Sequence, residues 1–336
     1  MCLDRKEDDK MPGVMKRIGV LTSGGDAPGM NAAIRAVVRT ALFHGIECAG
    51  VRRGYHGLIS GDIFPMSASD VNGITNIGGT ILYTARSSEF FEESGQKRAA
   101  DNCRFMGLDG LILIGGDGTF KGALELSKLG IPVVCIPATI DNDIACTSYT
   151  IGYDTACNTA IESIDRLRDT MQSHERCSIV EVMGHRAGHL ALYVGIAAGA
   201  TAILIPEKEI DIERDVVERI RNARYSGRTH FTVIVAEGTA STQAIADRVH
   251  EATGIDTRVT ILGHVQRGGA PLVRDRVVAS RMGYSAVQLL AAGKYNRIVA
   301  MDGAKYVDID IAEALEMQKG VDEEIYVMLE ALVSGA

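Results

Sequence analysis

The sequence contains no tryptophan, few aromatic residues (5%), seven prolines and no long uninterrupted apolar run. Without some eighteen or more consecutive apolar residues a membrane-spanning helix is not expected, and the charged residues 1–10 do not have the pattern of a secretion signal. Basic residues are also in deficit, with 35 Lys and Arg against 43 Asp and Glu. The resulting net charge of −8 argues against nucleic-acid and membrane-surface partners, which require clustered positive charge.

The cysteines indicate a reducing, cytoplasmic setting. There are seven of them, no two form a CxxC pair, and several lie in apolar runs where a reduced thiol packs as a small hydrophobe. Residues 1–15 are rich in charge before the first apolar run, so we expect them to form a disordered N-terminal extension or to lie upstream of the true start.

Short β-branched runs alternate with helix-length amphipathic segments, which predicts an α/β fold with parallel sheets covered by helices. With 336 residues, 46% of them hydrophobic, the chain is large enough for two lobes. Two helices are expected. The first spans residues 30–43 and has Arg35 and Arg39 on its polar face, and the second spans residues 155–171 with Asp154 as its N-terminal cap. Strands are expected near residues 17–22, 111–115, 132–136, 177–182, 202–205, 230–236, 258–262 and 296–301.

Three loops rich in glycine or aspartate follow predicted strands, at residues 22–29, 115–119 and 139–143. Ligands of open α/β sheets bind at the carboxyl ends of strands, where loop amides and helix N-termini favour anions. In the second loop, before a helix expected to open at Phe120, Asp117 is a candidate Mg²⁺ ligand, while Thr119 and the amides of Gly116 and Gly118 are candidate phosphate contacts. The three loops together suggest phosphoryl transfer.

The third loop brings two carboxylates, Asp141 and Asp143, within three positions. One can act as general base towards an acceptor hydroxyl, and the other can position a metal or orient its neighbour. Several arginines with glycine or polar neighbours add guanidinium groups suited to phosphate; they are Arg86, Arg176, Arg186, Arg258 and Arg267.

A zinc site is an alternative use of His185 and His189, which are four residues apart and follow Glu181 by four. Glu181 falls in a predicted strand, however, and no third ligand has a suitable spacing. Polar or substrate-facing histidines are therefore the preferred interpretation.

Five motifs, at residues 19–31, 115–118, 139–143, 180–184 and 263–269, resemble those of the bacterial-type ATP-dependent 6-phosphofructokinases, in the same order and spacing, over about residues 16–320. The resemblance implies two α/β lobes of mainly parallel sheet with the active site in the cleft between them. Residues 16–152 and 266–316 would form a larger ATP-binding lobe, and 153–265 and 317–336 a smaller sugar-phosphate-binding lobe. The implied reaction is phosphorylation of the 1-hydroxyl of fructose 6-phosphate by MgATP, a step of glycolysis.

The resemblance also assigns site residues. It places Mg²⁺ on Asp117 and makes Asp141 the catalytic base. The implied ATP site consists of Gly25, Arg86, Ser87, Gly116, Asp117, Gly118 and Thr119. The implied catalytic group is Asp141, Arg86, Thr139 and Asp143. The implied sugar-phosphate contacts are Thr139, Asp141, Met183, Gly184, His185, Glu237, His264 and Arg267, with Arg176 and Arg258 reaching in from a neighbouring subunit of a homo-oligomer, expected to be a tetramer. A regulatory site for ADP or phosphoenolpyruvate would include Arg35, Arg39, Arg168 and Arg228.

Two features bear on donor and rate. Pyrophosphate-dependent relatives typically carry larger side chains where this sequence has Gly118 and Ala138, so ATP is the expected donor. His185 stands where the family usually has arginine, and histidine is a weaker cation at pH 7. The alternatives are a kinase of the same fold that uses pyrophosphate or another sugar phosphate, and a non-catalytic regulatory paralogue; Arg86, Asp117 and Asp141 argue against the latter.

Overall fold

The computed structural model describes residues 15–334, and their strands form two sheets. In chain order the strands are β1 (Arg17–Thr22), β2 (Glu47–Val51), β3 (Ile63–Met66), β4 (Gly110–Gly115), β5 (Val133–Pro137), β6 (Cys177–Val182), β7 (Ala202–Leu204), β8 (Phe231–Ala236), β9 (Thr257–Ile261), β10 (Arg297–Asp302) and β11 (Lys305–Asp310). The larger sheet has the order β11-β10-β5-β4-β1-β2-β3 and the smaller one β7-β8-β6-β9. Neighbouring strands are parallel except for β2 with β3 and β10 with β11.

Helices connect and cover these strands. They are α1 (Met30–Phe43), α2 (Gly54–Ser60), α3 (Glu93–Phe105), α4 (Asp117–Lys128), α5 (Tyr153–His174), α6 (His189–Ala197), α7 (Glu218–Tyr225), α8 (Thr242–Thr253), α9 (Val273–Ala291), α10 (Ile311–Glu316) and α11 (Glu323–Ser334). Short 3₁₀ turns occur at Glu89–Phe91 and Gly263–Arg267, and a π-helical turn at Glu213–Val217 precedes α7. None of the helices within residues 15–334 is long and apolar enough to cross a membrane.

The larger sheet is buried on both faces, as an interior parallel sheet requires. Successive side chains of β4 point to opposite faces: Ile112 and Ile114 join one hydrophobic cluster, and Leu111 and Leu113 join another. All four side chains are fully buried. A third cluster covers one face of the smaller sheet and includes Phe231 and Val249.

The predicted α/β class and its mainly parallel sheets are confirmed, and each of the eight predicted strands overlaps an observed one. The strands β2, β3 and β11 were not predicted. The edge strands β3 and β11 are antiparallel, with proline at position 65 of β3 and charged or polar alternation in β11, so neither reads as a buried parallel strand. Only one residue of β2 is β-branched, which weakens its strand pattern.

The predicted helix over 30–43 matches α1, and the other two predicted helix starts differ from the observed ones. The N-terminal cap of α5 is Gly152, with a φ of 103°, and Asp154 lies inside the first turn, so its predicted capping role is wrong. The helix after the second loop begins at Asp117 rather than at Phe120, because Gly115 ends the strand and Gly116 takes the cap position.

The predicted N-terminal extension lies outside the described residues apart from Met15, which is buried in the main hydrophobic cluster. The strands of the larger sheet come from residues 17–137 and 297–310, and those of the smaller sheet from 177–261. The exact division of the chain into lobes stays a prediction.

Candidate active site

The loops singled out in the sequence meet where the carboxyl ends of strands from the two sheets face each other. His185, after β6 of the smaller sheet, places Nδ1 3.7 Å from Oδ2 of Asp143, after β5 of the larger sheet. Arg267, in the turn after β9, donates from Nη1 to the carbonyl oxygen of Asp26 at 3.3 Å. The site is therefore a cleft between two sheets, the place where α/β folds bind ligands.

The first glycine loop is shaped around Arg267. A Cβ atom on Gly25 would lie 2.6 Å from Nη1 of Arg267, so a larger residue there would displace this guanidinium. Gly24 has a φ of 86°, and its carbonyl oxygen accepts a hydrogen bond from Oγ1 of Thr84 at 2.6 Å. The loop thus connects the predicted sugar-phosphate arginine with the segment that leads to Arg86.

The second loop presents the start of α4. A Cβ atom on Gly116 or Gly118 would meet no other atom within 4 Å, so both positions border open space. The first N–H groups of a helix lack intrahelical acceptors and attract anions. Thr119 is only 1% exposed, and its Oγ1 donates to the carbonyl oxygen of Ser23 at 3.1 Å, which links this loop to the first one.

Asp141 is a buried carboxylate with a free oxygen. It is 6% exposed, Oδ2 accepts from Oγ1 of Thr139 at 3.2 Å, and Oδ1 has no hydrogen-bond partner among the described residues. Burial and then the negative charge of Asp143 raise its pKa to about 6, against the opposing effect of Arg267. A carboxylate with a pKa near neutrality and an unoccupied oxygen is suited to accept a proton.

The carboxylates of Asp117, the first residue of α4, and Asp143 lie close enough for the charge of Asp143 to change the pKa of Asp117. Burial and the charge of Asp143 raise the pKa of Asp117, while Lys121 and His185 lower it. Among residues 15–334 no group of three or more metal-binding side chains is arranged to hold an ion. A magnesium ion fits here because it takes oxygen ligands and binds through one or two carboxylates, with water and phosphate oxygens completing its shell.

The loop after β6 faces the end of β8. The backbone N–H of His185 donates to Oε1 of Glu237 at 2.7 Å, and the N–H of Met183 donates to Oε1 of Gln266 at 3.2 Å. His185 has a φ of 58° and a side chain 67% exposed, and Gly184 has a φ of 156°. These contacts bring Met183, Gly184, His185 and Glu237 beside the turn that carries Arg267.

The structure argues against a zinc site at His185 and His189. Glu181 belongs to β6, His185 lies in the following loop, and His189 is the first residue of α6. The spacing of four residues therefore does not place them on one helical face.

Three further predicted site residues are Arg86, Ser87 and His264. Arg86 and His264 are exposed, and the buried Asn31 anchors the segment before Arg86 by accepting from the N–H of Ile81 at 2.8 Å. Ser87 is half-buried with an Oγ atom that lacks a partner among the described residues. Their contacts with ATP and sugar phosphate stay predictions.

Arg176 and Arg258 do not join the site within one chain. Arg176 precedes β6 and Arg258 lies near the start of β9, and both donate to Oδ2 of Asp256, at 2.6 and 3.0 Å. Six residues of β6 separate this end of the sheet from Met183, roughly 20 Å at 3.3 Å per residue.

The four predicted effector arginines have separate surroundings. Arg39 donates to Oδ1 of Asn72 at 2.6 Å, Arg168 donates to the carbonyl oxygen of Ala198, and Arg35 is half-buried on α1. Arg228 lines a cleft of about 230 Å³ that includes Arg224 and Glu175. Their shared role stays a prediction.

The sequence reasoning missed two residues beside the third loop. Lys319 donates from Nζ to the carbonyl oxygen of Thr147 at 2.8 Å, and burial lowers its pKa to about 8. Asp275, fully buried, accepts a hydrogen bond from Oη of Tyr149 at 2.6 Å. No pattern in the sequence points to either residue, since Asp275 lies between two arginines in a helix and resembles a surface charge.

Known proteins are similar to this chain in sequence and in fold. A family model described as phosphofructokinase matches residues 17–290. The chain is 53% identical to an ATP-dependent 6-phosphofructokinase of Clostridium botulinum over 312 residues, 93% of this chain and 98% of that protein. It is 52% identical to ATP-dependent 6-phosphofructokinase 1 of Clostridium perfringens over 318 residues, 95% of this chain and 99% of that protein. A phosphofructokinase structure from Saccharomyces cerevisiae superposes with a TM-score of 0.86 at 35% identity; the match covers 95% of this chain and 47% of the yeast chain.

Proposed function

Because this chain belongs to the phosphofructokinase family, we propose that it is an ATP-dependent 6-phosphofructokinase. It transfers the terminal phosphoryl group of ATP to the 1-hydroxyl of fructose 6-phosphate and releases fructose 1,6-bisphosphate and ADP. The relatives that bear this name are 52% and 53% identical over nearly their whole length. The single observation that carries the chemistry is Asp141, a buried carboxylate with a pKa of about 6 whose Oδ1 has no hydrogen-bond partner among the described residues.

Asp141 accepts the proton of the sugar hydroxyl as that oxygen attacks the phosphorus atom. Thr139 orients the carboxylate through its hydrogen bond to Oδ2, so that Oδ1 stays available. Arg267 binds the sugar phosphate and, by its charge, limits the rise in the pKa of Asp141. Met183, Gly184, His185, Glu237 and His264 line the same side of the cleft.

ATP binds along the first two loops. The N-terminus of α4 and the open space at Gly116 and Gly118 receive its phosphates, and Gly25, Arg86, Ser87 and Thr119 complete the site. Asp117, with Asp143 nearby, would hold Mg²⁺. The bound ion supplies positive charge to the transferring phosphoryl group.

The complete active site requires a second copy of the chain. Arg176 and Arg258 lie at the far end of the smaller sheet and serve the active site of a neighbouring subunit in a homotetramer.

Effector anions bind at Arg35, Arg39, Arg168 and Arg228, and the enzyme acts in the cytoplasm. The free state of the six cysteines within the described residues supports a reducing compartment.

Initial rates with Mg²⁺, fructose 6-phosphate and either ATP or pyrophosphate, at matched concentrations, test this proposal. Turnover with ATP alone is the expected result. Turnover with pyrophosphate alone would overturn the donor, and no turnover with either would direct the search to another acceptor sugar, with sedoheptulose 7-phosphate as the next substrate. Inactivity there as well would favour a non-catalytic regulatory protein.

A further inference from the structure

A second buried carboxylate lies where helix starts meet behind the catalytic loop. Asp275, in the first turn of α9, is fully buried and accepts four hydrogen bonds. Its Oδ1 accepts from Oη of Tyr149 at 2.6 Å and from the N–H of Gly152 at 2.7 Å. Its Oδ2 accepts from the N–H and Oγ1 of Thr155, at 2.9 and 2.6 Å. These four donors offset part of the cost of burying the charge, although burial still raises the pKa of Asp275.

The hydrogen bonds from Tyr149 and Gly152 connect Asp275 with the catalytic base Asp141. Thr150 lies between these two donors in the chain, and its Oγ1 donates to the carbonyl oxygen of Thr139 at 2.7 Å. Thr139 in turn donates from Oγ1 to Oδ2 of Asp141 at 3.2 Å. The loop that carries Asp141 is thus held at its far end by α9.

The other set leads to the sugar-phosphate arginine. The N–H of Leu272, which follows Arg267 by five residues, donates to Oγ1 of Thr155 at 2.9 Å. A Cβ atom on Gly29 would lie 3.5 Å from Cβ of Asp275, so the end of the first glycine loop borders the same residue. Segments from three parts of the site therefore meet at Asp275.

We propose that Asp275 is a positioning residue for phosphoryl transfer, which fixes the separation between the base Asp141 and the sugar-phosphate ligand Arg267. This inference rests on the proposed function. A carboxylate is needed because both oxygens accept hydrogen bonds, whereas an amide would turn an N–H group towards donors on one side. Neither of the two glycine loops along which ATP binds donates any of these hydrogen bonds to Asp275.

The test compares Asp275→Asn and Tyr149→Phe with the wild-type protein. For Asp275→Asn we expect kcat/KM for fructose 6-phosphate to fall between about tenfold and a hundredfold, as a misplaced catalytic group does, with KM for ATP changed by no more than about twofold. Tyr149→Phe removes one of the four hydrogen bonds to Asp275 and should lower kcat/KM for fructose 6-phosphate by a smaller factor. Val249→Ala, a buried substitution in α8, is the matched control: it should lower the melting temperature and leave both kinetic parameters unchanged.

Comparable increases in KM for fructose 6-phosphate and for ATP, or unchanged kinetics in a folded Asp275→Asn variant, would reduce Asp275 to a structural role and overturn the inference. If Asp275→Asn does not fold, Tyr149→Phe decides by the same criterion. An inactive wild-type protein would overturn the proposed function, and this inference with it; an active wild type with unaltered variants would overturn this inference alone.

Discussion

Replacement of Asp141 by asparagine should change stability and turnover in opposite directions. Burial and the charge of Asp143 raise the pKa of Asp141 from 3.8 to about 6. The folded protein therefore binds this proton more tightly than the unfolded chain, and the ionised carboxylate destabilises the fold above pH 6. A shift of about two pKa units corresponds to about 3 kcal/mol.

The isosteric amide carries no charge and avoids this penalty. At pH 8 we expect Asp141→Asn to raise the free energy of unfolding by up to about 3 kcal/mol, and the gain should disappear as the pH falls from 6 to 4. Turnover should fall by about a hundredfold or more, because the general base is lost. In the wild type, kcat/KM should decrease below a midpoint near pH 6, since only the ionised form accepts a proton.

Urea unfolding at pH 8 and pH 4, together with initial rates between pH 5 and 8, measures both effects. Asp101→Asn is the matched control, because Asp101 lies on the surface in an ion pair with Arg104 at 2.8 Å and should affect neither measurement by much. An Asp141→Asn variant with wild-type turnover would show that the assigned base is wrong. An unchanged unfolding midpoint at pH 8 would refute the reasoning about burial.

Three further substitutions test the remaining geometry. Gly118→Asp should fold normally, since a Cβ atom there meets nothing within 4 Å, and should raise KM for ATP; an unchanged KM would contradict the donor argument. His185→Arg should preserve or raise kcat, because the side chain is largely exposed and lies 3.7 Å from Asp143, and a collapse of kcat would give histidine a role of its own. Gly25→Ala should raise KM for fructose 6-phosphate by displacing Arg267, with Gly118→Ala as the control that borders open space; equal effects of the two would argue against this displacement.

The class of fold and the positions of the three candidate ligand-binding loops could be predicted from local sequence patterns. Apolar runs such as 111–114 are buried on both faces of the sheet, and each of the three loops follows a strand at the carboxyl end where ligands bind. These features are local, because side-chain periodicity and glycine loops act over a few residues. Strands β2, β3 and β11 were missed because β2 has a single β-branched residue, β3 contains a proline and β11 carries charged residues.

The pKa values and hydrogen bonds of individual side chains could be read only from the three-dimensional structure. The pKa of Asp141 depends on burial and on Asp143 and Arg267, and the importance of Asp275 depends on donors more than a hundred residues earlier in the chain. The same applies to Arg176, which resembles a site residue in the sequence but lies at the opposite end of its sheet. Desolvation, Coulomb interactions and hydrogen bonds all depend on distances that long-range packing sets.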